Sequence, residues 1–320
     1  MQFPLFQPPT EWVMPDGYPD LSHAREVAID LETRDPNLTT MGSGWARKDG
    51  HIIGVAVAVE GDQWYFPIRH ELGPNLDPKT TLRWLQDVVS IDRDYVFHNA
   101  PYDVGWMLAE GVSVKGRIVD TMVVAPLLDE NRFSYALNAI GRDYLQERKS
   151  EKELREAAEA FGVNAKSEMF KLPAAYVGAY AEQDAALTLR LWTFFKGLII
   201  KEDIGDIFDL ELKVLKTIIP MRQRGVRVDL EKAERIKIDL EQREKKLLAE
   251  IKRQSGIAVE LWAAESVSKA FDALNLEYNK TEKTGAPSFT KGFLANHPHE
   301  VPKMIVEARE FNKARTTFVD

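Results

Sequence analysis

Cysteine is missing from all 320 residues, so the chain can build no disulfide, no thiolate nucleophile and no cysteine-based zinc site. Long apolar runs are missing too. The longest, IIGVAVAV from Ile52 to Val59, is strand-sized and far short of the ~20 residues of a membrane-spanning helix. The N-terminus, MQFPLFQPPTEWVMPDGYPDL, has five prolines in its first twenty residues and no apolar core of signal-peptide length. Residues 1–24 therefore read as an extended lead-in. These absences point to a cytoplasmic protein with no membrane partner.

An excess of basic charge is a third absence. Residues 1–200 hold 20 Lys and Arg against 29 Asp and Glu, while residues 201–320 hold 22 against 21. An acidic first part argues against a general nucleic-acid-binding surface. It leaves room for an acidic pocket whose bound cations reverse the local charge. At 44% hydrophobic and 29% charged, the chain suits a globular protein of about two domains.

What is present is strand–helix alternation. EVAIDLET ends a buried-strand pattern in two carboxylates. HIIGVAVAVE and the stretch around QWYFPI read as antiparallel neighbours joined by a Gly61-Asp62 turn. PKTTLRWLQDVV has helical spacing, and DYVFHN is a strand leading into a helix through YDVGWMLAEG that stops at Gly111. RIVDTMVVAPLLDE continues as a short strand and helix. A long helix is expected from Pro173, suited to a first helical position, to about Gly197. Strands followed by alternation and then helices predict an α/β domain with a mixed sheet.

The chemistry sits at three places. Asp30 and Glu32 point to one face of their strand, where like charges repel and lose hydration. Asn99, Tyr102 and Asp103 open a helix just after an apolar strand. Tyr180 and Asp184, four residues apart, share a helix face. Singly, these features are ordinary. Asp92/Asp94, Glu151/Glu153 and Glu182/Asp184 have the same spacing as Asp30/Glu32 and suit a solvated surface. Asn99 and Asp103 also suit helix capping, and Tyr180 suits a core aromatic. If the three elements pack together, however, four carboxylates and a tyrosine converge. Such a cluster, stabilised by two divalent ions about 4 Å apart, can hydrolyse a phosphodiester.

The ordered set Asp30-x-Glu32, Asn99-x3-Asp103, Tyr180-x3-Asp184 resembles the three exonuclease motifs of the DEDD superfamily, tyrosine subtype. More closely, it resembles the proofreading 3′–5′ exonuclease domain of family A (DNA polymerase I-like) DNA polymerases, particularly phage-type members. IVDTMVVAPLLDE, Ile118 to Glu130, is similar to that family's segment between the second and third motifs. The resemblance implies a ribonuclease H-like exonuclease domain with a mixed β-sheet over residues 25–200. LELKVLKTIIPMRQRGVRVD, Leu210 to Asp229, resembles the join to the polymerase. The stretch from Glu265, above all Thr281–Ser288, resembles the start of the thumb. Residues 201–320 are therefore expected to be a helical linker and a partial thumb-like segment.

By the same resemblance, Asp30, Glu32 and Asp184 hold one Mg²⁺ or Mn²⁺, Asp30 also holds a second, and Asp103 acts through ligand waters. Tyr180 orients the attacking water, and Asn99 and Tyr102 touch the terminal nucleotides of single-stranded DNA or a frayed primer 3′ end. The family's palm and fingers would follow residue 320. A truncated or split polymerase is the preferred expectation, a stand-alone exonuclease the other, and no nucleotide incorporation is expected of residues 1–320 themselves. Two alternatives share the motifs: a ribonuclease D-like RNA-processing exonuclease and a catalytically inactive interaction module. Four intact carboxylates count against the last.

Overall fold

The computed structural model describes residues 8–320, so the first seven residues of the expected lead-in lie outside the described residues. The chain divides into two compact units, one ending at Val226 and one running from Arg227 to Asp320.

The first unit is built on five strands: β1 (Glu26–Arg34), β2 (His51–Val59), β3 (Asp62–Pro67), β4 (Asp94–Phe97) and β5 (Arg117–Asp120). Their order across the sheet is β3-β2-β1-β4-β5. The pairs β1–β2 and β2–β3 are antiparallel, whereas β1–β4 and β4–β5 are parallel. This is the mixed sheet expected from the sequence. Its helices are α1 (Leu38–Met41), α2 (Pro78–Val89), α3 (Ala100–Ala109), α4 (Thr121–Leu128), α5 (Leu137–Ile140), α6 (Lys152–Phe161), α7 (Gly178–Lys201) and α8 (Gly205–Arg224).

Burial explains the strand sequences. Val27, Ala28 and Ile29 are fully buried because β1 lies in the middle of the sheet with both faces covered. β2 alternates large Ile53, Val55 and Val57 with small Gly54, Ala56 and Ala58. The small row shares a face with Asp30 and Glu32, since Asp30 pairs with Ala56 and Glu32 with Gly54. α2 starts where Asp77 accepts the Thr80 N–H at 2.8 Å, with Pro78 in the first turn.

Two local expectations are corrected. Val59 pairs with Asp62, so the β2–β3 turn is Glu60-Gly61, one residue earlier than expected. Gly61, at φ 90°, supplies the left-handed backbone that turn needs. Nor does the long helix begin at Pro173. Pro173 is extended (ψ 138°) and leads into a single 3-10 turn, Ala174–Tyr176. The lead-in holds that turn: Thr10 Oγ1 donates to the Ala175 carbonyl at 2.8 Å, and the Tyr176 hydroxyl donates to the Pro8 carbonyl at 3.0 Å. α7 starts at Gly178, against which Trp12 packs so closely that a Cβ would meet its ring at 2.0 Å.

α8 packs within the first unit. Phe208 lies 5.7 Å from Trp192, ring to ring, and Lys216 donates to the Gly116 carbonyl at 3.2 Å.

The second unit contains α9 (Leu230–Ser255), α10 (Ala264–Ala273), a two-stranded ribbon of β6 (Asn279–Lys280) and β7 (Pro287–Ser288), α11 (Lys291–Ala295) and α12 (Glu300–Phe318). Its core gathers Ile251, Val267, Phe271, Val301 and Ile305. Along α9, Ile251 is fully buried and Leu247 packs against this core, but Ile236 is exposed. The apolar cluster covers only the C-terminal turns of that helix. Among the described residues no helix is long and apolar enough to cross a membrane.

Candidate active site

β1 delivers Asp30 and Glu32 to the face bearing the small row of β2. Both are half-buried. Immediately after Glu32 the register slips, with Glu32 opposite Gly54 but Thr33 opposite Ile52. Such a bulge turns the strand end away from its partner. Gly54 is the only residue type that fits there, because a Cβ would meet the Tyr65 hydroxyl at 2.0 Å. That hydroxyl lies 2.7 Å from His70 Nε2, and His70 Nδ1 lies 2.8 Å from the Leu172 carbonyl. Burial pushes His70 down to about 4, so the ring is neutral at pH 7. The carbonyl can only accept, which puts the proton on Nδ1 and makes Nε2 the acceptor of the Tyr65 O–H.

α3 delivers Asp103, which is 3% exposed. Asp103 Oδ1 accepts the Leu31 N–H at 3.1 Å. Asp120, at the end of β5, fastens the start of α3 by accepting from the N–H groups of Asn99 (2.9 Å) and Ala100 (2.8 Å), and it caps α4 by accepting the Met122 N–H (2.8 Å). Burial raises Asp120 to about 6 against the pull of those bonds. Asn99 adopts a left-handed conformation (φ 74°, ψ 52°) and its side chain makes no capping bond, so the capping role falls to Asp120. Asn99 is exposed. Tyr102 is half-buried, its hydroxyl 2.6 Å from Thr33 Oγ1 on β1.

α7 delivers Tyr180 and Asp184, and Glu182 between them accepts the Tyr65 N–H at 3.0 Å, fixing the helix to β3. Asp184 is 5% exposed. A residue outside the expected set meets it. Lys149, on the irregular segment before α6, donates to Asp184 Oδ2 at 2.5 Å and to the Tyr180 hydroxyl at 3.0 Å.

The charges feel one another. Burial first, and then the Asp184 charge, raise Asp30 to about 7. Burial and then the Asp30 charge lift both Glu32 and Asp103 well above the usual carboxylate range. Asp184 is raised by burial and held back by Lys149. Burial, with the charges of Glu32, Asp184 and Asp30, pushes the Tyr180 phenol up. All four expected carboxylates and Tyr180 thus belong to one electrostatic cluster.

Among the described residues no three Asp, Glu or His side chains are drawn together tightly enough to hold a metal ion as they stand. The donor set nonetheless fits a hard divalent cation. It is all oxygen, its members raise one another's pKa, and Asp184 Oδ1 is buried without a hydrogen-bond partner among the described residues. A cation would satisfy that oxygen and offset the repulsion.

A family model for the 3′–5′ exonuclease of DNA polymerase A matches residues 17–200, more than half of the chain. The chain belongs to this exonuclease family. The DNA-directed DNA polymerase of Pseudomonas phage M6 is 35% identical over 99% of this chain and 49% of its own length. The DNA polymerase DpoZ of Salmonella phage PMBT28 is 29% identical over 94% of this chain and 48% of its own length. DNA polymerase I of Pseudomonas aeruginosa is 25% identical over 94% of this chain and 33% of its own length. The chain therefore spans about half the length of its phage relatives. The POL domain of Pol1 from M. smegmatis, solved with DNA primer-template and dNTP, matches with a TM-score of 0.65 at 16% identity, over 92% of this chain and 46% of that one. At that identity the likeness concerns the fold. Residues 17–200 are a family A exonuclease domain with a ribonuclease H-like mixed sheet.

Proposed function

We propose that this exonuclease-family chain hydrolyses DNA from its 3′ end with divalent metal ions, releasing nucleoside monophosphates, and serves as the proofreading part of a DNA polymerase. What supports this most is that Asp30, Glu32, Asp103 and Asp184, from three separate elements, lie near enough for their charges to couple, with Asp184 Oδ1 buried and unpartnered among the described residues.

Asp30, Glu32 and Asp184 would hold the first ion, Asp30 a second, and Asp103 would bond water ligands. When bound, such ions acidify water and stabilise the charge of the departing 3′ oxygen. The protein's own part is orientation. Tyr180 presents a hydroxyl at the edge of the cluster and would hold the attacking water by a hydrogen bond. The exposed, uncommitted Asn99 side chain and the Tyr102 ring would contact the last nucleotides. The palm and fingers of a polymerase, on the same or another polypeptide, are the proposed partner, supported by relatives twice as long.

The test is a labelled single-stranded DNA incubated with Mg²⁺ or Mn²⁺. Stepwise shortening from the 3′ end, stopped by EDTA and slower on blunt duplex, is expected. Melting each base-pair step costs ~1–2 kcal/mol, which sets the duplex penalty. Preferential shortening of an RNA oligonucleotide would favour the ribonuclease D-like alternative, and intact DNA in every metal would overturn the nuclease reading.

A further inference from the structure

Lys149 is not a surface lysine that has found a carboxylate. Its side chain is 8% exposed and that of its partner Asp184 7%. Ordering and drying a lysine is unfavourable unless its contacts are firm. The backbone around it is pinned from both sides: the Lys149 N–H donates to Asn138 Oδ1 at 3.2 Å, and the Ser150 N–H donates to Gln183 Oε1 at 2.9 Å. Gln183 is the neighbour of Asp184 on α7, so the segment and the helix are held together beside the site.

The two oxygens of Asp184 are treated differently. Oδ2 takes the ammonium at 2.5 Å, while Oδ1 is buried without a partner among the described residues. One oxygen is thus committed and the other left free for a cation. Lys149 Nζ also lies 4.4 Å from the centre of the Tyr180 ring and donates to its hydroxyl. An ammonium has no acceptor, so the phenol must receive from it and keep its own proton for another oxygen.

We propose that Lys149 is a positioning residue of the nuclease: it turns Asp184 so that Oδ1 faces the metal, and it fixes Tyr180 as a hydrogen-bond donor towards the attacking water. This rests on the nuclease reading above. Nothing in the three motifs points to the residue, which acts through two members of the cluster and need not touch DNA.

The experiment separates positioning from mere charge balance. Lys149→Met is compared with wild type by thermal melting in EDTA and in saturating Mn²⁺, and by single-turnover hydrolysis of single-stranded DNA in saturating Mn²⁺. The variant should melt lower in EDTA, because Asp184 loses its counter-charge, and Mn²⁺ should restore the melting temperature. The rate should stay ~10–100-fold below wild type with DNA affinity unchanged, because orientation is lost. Adding Tyr180→Phe should slow Lys149→Met less than it slows wild type, since the two act together. Lys149→Gln, which keeps a donor without charge, is judged by the same measurements if the Met variant does not fold. A full wild-type rate in saturating Mn²⁺ would reduce Lys149 to charge balance and overturn the proposal, as would purely additive effects with Tyr180→Phe. An inactive wild type would instead remove the nuclease reading itself.

Discussion

Asp103 accepts the Leu31 amide at 3.1 Å, tying a carboxylate of α3 to the peptide between Asp30 and Glu32. The bond fixes the spacing of helix and strand, and it offsets part of the burial that raises Asp103. Substitutions at Asp103 should therefore split by shape. Asp103→Asn keeps an acceptor and removes a repelling charge, so its melting temperature should hold or rise while hydrolysis falls by orders of magnitude. Asp103→Ala strands the Leu31 N–H and should destabilise the fold by ~1–3 kcal/mol. Calorimetry beside a gel assay checks both, and equal melting of the two variants would refute the role of the bond.

Asp30 gives a pH signature. Its folded value of about 7 stands above the unfolded 3.8, so the folded form holds a proton longer. Its stabilising contribution is present at the acid end and is lost as pH rises through about 7. His70 and His98, each pushed down to about 4 by burial, act in the opposite sense at lower pH and cancel in a comparison with Asp30→Asn. In EDTA, wild type should lose melting temperature relative to Asp30→Asn between about pH 4 and about pH 7. A constant difference would mean that Asp30 is not strained by its neighbours. Asp30→Asn should also lack activity.

Tyr180→Phe removes one hydroxyl and keeps the ring over which Lys149 lies. Hydrolysis should slow by ~10–1000-fold with metal binding retained. A wild-type rate in single-turnover assays would leave Tyr180 as a packing residue only.

The three motif-bearing elements were legible because each carries a strong period: the central apolar strand of Asp30, the strand-to-helix step at Asn99, and the long helix of Asp184. Misread details have tertiary causes. Pro173 looks like a helix start, but bonds from Thr10 and Tyr176 hold that turn apart from α7. Lys149 sits in QERKSEKE, where charge has no period, so nothing local marks it as the one that turns inward. Asp120 lay in a segment recognised as a whole, without a role for its carboxylate.

Asp120 has a test of its own. It accepts three N–H groups at the start of α3 and α4. Asp120→Ala should lower stability by ~1–3 kcal/mol. It should also reduce hydrolysis in parallel by freeing the helix that carries Asp103. Loss of stability with full activity would show that α3 needs no such anchor.

The wide separation of Asp30 and Asp184 along the chain has a consequence for the order of assembly. The β1–β2–β3 meander pairs neighbours and can form while the chain is still being made, whereas α7 is synthesised much later and must close over it. That docking brings Asp184 towards Asp30, so like charges oppose it, with Lys149 offsetting part of the repulsion and a bound cation able to offset more. Divalent ions that bind only the closed form would then pull folding to completion by mass action. A half-made chain holds its strand carboxylates open to water, and the proposed nuclease site exists only once the domain is finished.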